Sequence, residues 1–256
     1  MQITADQMEA LERTCARSFA EKMLAHARTF APRICEVNGD AQTLLVIERA
    51  MRNARRHGFT QQGPATLYVE LCFLFGSDFD VDPQVPWAGR LLGDCGGQYQ
   101  ASRALRLYEQ TLAYQETVAG PDDRFTRLGL RQLALLAERP GRLEAVQSLP
   151  DFWRLATLMY PQKAAHVGEQ GFGELVTAGV REAAAHGMPT REAGLLMSLL
   201  MFGFGIGCAD DPLYPWIAAT LRDPAIVDGA ARQARLQKKS VTWLRHVVAS
   251  FSGEAA

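Results

Sequence analysis

This chain has little of what marks a specialised class of protein. Its 256 residues include only five cysteines, Cys15, Cys35, Cys72, Cys95 and Cys208. The number is odd and no CxxC pair occurs, which argues against a disulfide framework or a zinc site and fits reduced thiols in a bacterial-type cytoplasm. Long apolar runs are missing as well. The most apolar stretch, Leu195 to Cys208, is glycine-rich and falls short of the roughly twenty residues a membrane span needs. The opening Met-Gln-Ile-Thr-Ala-Asp lacks the basic and apolar regions of a secretory signal, so a cytoplasmic location is expected. A formal net charge of −1 leaves no electrostatic footprint for nucleic acid or an acidic membrane. Local basic runs, at Arg49, Arg52, Arg55 and Arg56 and at Arg232, Arg235, Lys238 and Lys239, read as solvated helix faces.

Catalytic signatures are also lacking. There is no HExxH, P-loop or GxSxG, and Ser252-Gly253 carries no hydrolase context. The series Gly168, Gly171, Gly173 has no preceding strand and no following Lys-Ser/Thr, and it reads as a loop opening the next helix. A non-enzymatic protein without cofactor, metal or catalytic residue is therefore expected.

What is present is helical periodicity. Hydrophobic content of 48% against 21% charge excludes disorder. Met8, Leu11, Ala16, Phe19, Met23 and Leu24 form an apolar stripe, with Thr4 or Asp6 as its cap. Pro32 restarts the chain, Asp40 can cap a helix ending at His57-Gly58, and Pro86 opens a short helix carrying Trp87. No alternation long enough for a sheet occurs, so the class is all-α.

The sequence also matches itself. At an offset of 129, His57-Gly58 meets His186-Gly187, and Phe73, Phe75 and Gly76 meet Phe202, Phe204 and Gly205. Asp82-Pro83 meets Asp211-Pro212, Pro86-Trp87 meets Pro215-Trp216, and no gap is needed. Roughly a third of the positions between Ile47 and Asp94 are identical to their counterparts. Two similar helical units, residues 1–140 and 141–256, packed into one bundle-like body with a shared core, are expected.

The repeated His-Gly and Asp-Pro-x-x-Pro-Trp constellation has two readings. As chemistry, His57 with Asp82 and His186 with Asp211 would be acid–base pairs. As architecture, each His-Gly ends a helix, each Asp caps a turn, and each Trp plugs the helices before it. The second is preferred, because nothing nucleophilic recurs beside either pair. The Met197, Met201, Phe202, Phe204 series could line an apolar-ligand cleft, but its spacing is that of core. Asp78, Asp80 and Asp82 alternate like the opening of a calcium loop, but Pro83 and Gly89 stand where that loop wants Gly and Glu. They read instead as an exposed acidic surface that, with Trp87 and Arg90, would contact a protein partner.

The run Ile47 to Phe59, followed by Leu-Phe-Gly-Ser-Asp-Phe-Asp-Val-Asp-Pro-Gln-Val-Pro-Trp-Ala at 74–88, resembles a group of small bacterial proteins of type VI secretion systems. These are encoded beside spike and effector genes and share a helix ending in Tyr/His-Gly, then Phe-Asp-x-Asp-Pro-x-x-Pro-Trp-Ala. The second half departs from the pattern, with Cys208-Ala209 in place of Phe79-Asp80. The resemblance carries no activity. It implies a partner that is a secreted toxin, effector or spike-associated protein, and a role as loading chaperone, adaptor or immunity protein.

Overall fold

Prolines and glycines set where the helices of this chain begin, bend and stop. The computed structural model describes residues 4–93, 99–139 and 141–251, and every regular element among them is helical. The chain is all-α. Its first half holds α1 (Ala5–Phe30), α2 (Pro32–Arg56), α3 (Gln62–Phe75), α4 (Pro86–Gly93) and α5 (Gln100–Tyr114). A π-helical turn, Gln115–Ala119, leads to α6 (Arg124–Ala137) and the short α7 (Gly141–Glu144). Then follow α8 (Leu149–Met159), α9 (Pro161–Ala185), α10 (Arg191–Phe204), α11 (Pro215–Leu221) and α12 (Gly229–Ser250). Cys95 and Ser252-Gly253 lie outside the described residues.

Bounds and backbone angles recur at the offset of 129. The bounds of α2 and α9 coincide at that spacing, as do those of α3 and α10. Helices α4 and α11 both open on the Pro of Pro-Trp, and α5 and α12 begin at equivalent positions. Each of the long helices α2 and α9 bends at one glycine: Gly39 has φ 72° and ψ 168°, and Gly168 has φ 71° and ψ 169°. That region is essentially closed to residues with a Cβ.

Two local expectations are corrected by this arrangement. The second segment of α2 does start beside Asp40, after the break at Gly39, but the Asp40 carboxylate does not cap it and pairs instead with Arg28 at 2.6 Å. Gly168, Gly171 and Gly173 do not form a loop: Gly168 is the single break in α9, and Gly171 and Gly173 lie in the helical segment after it. Gly171 is small for a packing reason: a Cβ there would stand 3.0 Å from the Pro83 carbonyl of the other half.

Two apolar clusters hold the helices. The first takes Ile47, Tyr68, Leu71, Phe79, Trp87 and Leu107, and the second takes Phe152, Phe172, Leu200, Phe202 and Leu244. They meet at Tyr114 and Tyr214, which pack against both. The dividing line falls near Val118, not at 140. Val118, Leu133, Ala134, Leu136 and Ala137 join the second cluster, because the apolar face of α6 lies along α12. Helix α6 therefore belongs with the second half.

The turns after α3 and α10 combine positive φ with close approach of the opposite half. Gly76 has φ 98° and Gly205 φ 95°, and a Cβ on Gly205 would lie 2.6 Å from the Phe75 carbonyl oxygen. Gly39, equally strained, has open space around that position. Gly205→Ala is therefore expected to cost about 3 kcal/mol or more, strain plus displaced backbone, and Gly39→Ala only about 1–2 kcal/mol. Urea unfolding of the two variants measures the difference.

Candidate functional site

The Asp-Pro motif lies where the two halves touch. The turn after α10 brings the Ile206 N–H to Asp82, donating to Oδ2 at 2.8 Å. The turn after α3 brings Ser77 to Asp211, with its N–H donating to Oδ2 at 2.7 Å and its hydroxyl to Oδ1 at 2.7 Å. Each carboxylate also accepts from the N–H two residues on, Gln84 for Asp82 at 2.8 Å and Leu213 for Asp211 at 2.9 Å. Ser77 and Ile206 are equivalent at the offset of 129, as are Asp82 and Asp211. The exchange is thus reciprocal, each half's Asp holding the turn of the other.

Further contacts between the halves are one-sided, all donated from the first half. From α2, Gln42 donates to the Pro212 carbonyl at 2.9 Å and Asn38 to the Leu213 carbonyl at 3.1 Å. Gln84 donates across to the Met201 carbonyl at 2.9 Å. Both carboxylates are buried, and burial holds their pKa values above the usual carboxylate range despite the donors around them. Lys163, from the start of α9, donates to the Phe202 carbonyl at 2.5 Å. Burial pulls its pKa down to about 8, against the opposing charge of Asp82.

The acid–base pairs expected from the sequence do not form. His57 Nε2 is 2.7 Å from Asp80 Oδ2, not bonded to Asp82, and His186 Nε2 is 3.1 Å from Glu182 Oε1, not bonded to Asp211. The position of Asp80 is Ala209 in the second half, so a residue of the preceding helix supplies the carboxylate there. The acidic loop is not an exposed surface either. Asp78 is gripped by Arg49 at 2.6 and 2.7 Å, Asp80 by His57, and Asp82 is buried. Trp87 is buried against the edge of Phe75 and Trp216 half-buried against Phe204 and Trp243, while Arg90 is exposed. Pro83, Pro86, Pro212 and Pro215 shape the turns, and Gly58 and Gly187 end α2 and α9 with φ of 73° and 72°.

A second equivalent pair lies outside the motifs that the sequence makes conspicuous. Arg103 donates to the His57 carbonyl at 2.6 Å and Arg232 to the His186 carbonyl at 2.7 Å, so each His-Gly helix end is held by an arginine of the last helix of its half. The offset of 129 relates the two arginines as well, and that is the signal by which they can be found.

Outside the motif, the outer face of α6 stands apart. Arg124, Leu128, Arg131 and Leu135 follow one another at helical spacing, Arg139 continues the series just past the helix end, and all are exposed. Leu128 is 45% and Leu135 50% exposed, and Leu158 on the adjoining α8 is 80% exposed. Two hollows flank this face. One of about 510 Å³ is lined by Pro121, Asp122, Arg124, Arg127, Leu128 and Arg131. The other, about 160 Å³, includes Leu135, Arg139, Leu155 and Leu158. Asp122 and Asp123, at the start of α6, are non-glycine residues with φ of 50° and 56°, strain held beside the first hollow. Among the described residues no carboxylate forms an ion pair with Arg124, Arg131 or Arg139. The sequence signal for this face is the Arg/Leu alternation at four- and three-residue spacing.

No group of three or more His, Cys, Asp or Glu side chains able to hold a metal is gathered among the described residues, and no described helix is long and apolar enough to cross a membrane. Comparison with known proteins finds no match to a protein family, a curated protein or a solved structure.

Asp211→Ala strips the acceptor from two buried N–H groups and a hydroxyl, and is expected to cost about 3 kcal/mol. The acidity of the pair gives a second expectation. The folded chain holds these two protons more tightly than the unfolded chain, so their contribution to stability falls as pH rises from the ordinary carboxylate range through the raised folded values. The stability of the native chain relative to an Asp82→Asn/Asp211→Asn variant should therefore decline with rising pH in that window, as read by denaturant titrations at stepped pH.

Proposed function

We propose that this chain is a non-enzymatic, protein-binding accessory factor of a type VI secretion effector module, serving a toxin, effector or spike-associated protein as adaptor, chaperone or immunity protein. The observation that carries the binding reading is the outer face of α6: between two hollows, exposed leucines alternate with arginines that pair with no carboxylate among the described residues. Arginine and large apolar side chains are the usual anchors of a protein interface. Their alternation fits an acidic amphipathic helix, whose leucines enter the hollows while its glutamates meet Arg124, Arg131 and Arg139.

Two further points support the reading. The residues of the repeated motif are occupied by contacts within the chain, so they serve its shape. The link to secretion rests on the resemblance of the residues at 47–59 and 74–88. The neighbouring gene distinguishes the roles: a toxin gene directly adjacent favours immunity, and a spike gene favours loading.

Co-expression with the products of adjacent genes tests the proposal. The native chain should capture one of them, and an Arg131→Glu/Leu135→Asp variant of unchanged helicity should bind it at least tenfold more weakly, with stronger loss at low salt. Capture that survives this double substitution would refute the assignment of the α6 face. A folded His57→Asn/His186→Asn variant should retain full binding and full protection or export activity. Selective loss of activity in that variant would favour an enzyme.

A further inference from the structure

The two halves differ in one respect that leaves a surface uncovered. In the second half α6 lies along α12: Gln237 donates to the Ala137 carbonyl at 3.1 Å, Arg245 bonds Glu138 at 2.7 Å, and Arg127 stands over the Phe251 ring at 5.5 Å. The positions of α5 equivalent to Gln237 and Val241 of α12 are Tyr108 and Leu112. Among the described residues no helix lies along α5 as α6 lies along α12, and the main helical neighbours of α5 are α3 and α4. Leu105 is 57% exposed, Tyr108 48% and Leu112 46%. Together with the exposed Ala101 they follow a four-three-four spacing, the seam of a helix that packs against another helix.

A helix whose first turns are uncovered is present in the same chain, although its later turns pack on α2. α1 enters the first cluster through the buried Ala20, Met23 and Ala27, with Ala16 and Phe19 partly buried against it. Before that it is an arm carrying its own apolar stripe of Met8, 44% exposed, Leu11, 52% exposed, and the exposed Cys15. The arm is well begun, since Thr4 and Gln7 form a capping box. An unpacked helix of this length is marginal in water, so a capped start and an apolar stripe imply that it packs on something.

The equivalence between the halves indicates what it packs on. Residues 134–148, the counterparts of 5–19, include the end of α6, α7 and the turns that let the chain double back before α8. In α1 those turns are replaced by one continuous helix, so the arm cannot double back onto its own α5 without breaking. We propose that two copies of this chain exchange arms, the α1 arm of each lying on the Leu105–Tyr108–Leu112 face of the other. The arrangement is a closed two-fold dimer in which both stripes are buried. Each arm, from Ala5 to Cys15, is about 16 Å long, and two such pairings cover on the order of 1,000 Å², the lower limit for a specific interface.

The test uses the full-length chain. Light scattering after size exclusion at micromolar concentration should give twice the 28.2 kDa chain mass. Leu112→Glu on α5 and Leu11→Glu on the arm should each halve that mass with no loss of helical circular dichroism. Leu11 is 52% exposed in the single chain, so its variant reads the interface without endangering the fold. Cysteine placed in turn at 105, 108 and 112 should form a disulfide-linked dimer with the native Cys15 of the second copy at one position or more, and Cys15→Ser should abolish it. A monomeric native chain, a dimer that survives either charge substitution, or a dimer broken instead by Leu135→Asp on α6 would each overturn the proposal. The last result would place self-association on the face assigned above to a different protein. A cross-link formed within one chain would overturn it as well.

Discussion

The fold hangs on two buried carboxylates, each accepting the backbone of the opposite half. Asp82 takes the Ile206 N–H and Asp211 takes Ser77 through both N–H and hydroxyl. A buried carboxylate is costly to leave unsatisfied, and so is a buried N–H. Each of these groups therefore depends on the other half being in place. Neither turn can keep its hydrogen bonds if the halves separate. The close approach explains why glycine stands at 76 and 205, where a Cβ would meet the carbonyl of Phe204 or Phe75. The proline after each aspartate extends the contact, its carbonyl meeting Gln42 at 212 and a closely approaching Gly171 at 83.

Where the halves agree, the shared residues are structural. His57 and His186 end helices whose last carbonyls are held by Arg103 and Arg232. Trp87 and Trp216 lie on Phe75 and Phe204. Where the halves differ, surface is released. The loop acids Asp78 and Asp80, paired with Arg49 and His57, have Gly207 and Ala209 as counterparts, and a Cβ on Gly207 would collide with Asp78. Helix α6 covers α12, while α5 has no such cover among the described residues. The extra helix turns a face of alternating arginine and leucine outward, and the uncovered one leaves Leu105, Tyr108 and Leu112 open. The two proposed interfaces lie at these departures from equivalence.

The sequence discloses elements more readily than their partners. Pro32, Pro86, Pro161 and Pro215 open helices as their positions predict, because proline acts on its own backbone. The same locality makes His57-Gly58 and His186-Gly187 legible as helix ends. Asp82 and Asp211 are legible as turn residues, but their second partners stand 124 and 134 residues away, which no spacing rule detects. The acidic loop misleads for a related reason: alternating aspartates look exposed until α2 brings Arg49 and His57 to them. The three glycines of α9 look like a loop because the packing that requires Gly171 comes from Pro83 in the other half. The α6 face is hidden because alternation of arginine and leucine carries meaning only once the opposite face is known to be buried.

Amide hydrogen exchange in the native state tests the reciprocal link most directly. If each carboxylate depends on the opposite half, the N–H groups of Ser77 and Ile206 open only when the whole chain unfolds. They should then exchange with the same free energy, equal to that of global unfolding and equally sensitive to denaturant. Exchange of one of them through a smaller opening, while the amides of the other half stay protected, would contradict the reciprocal link.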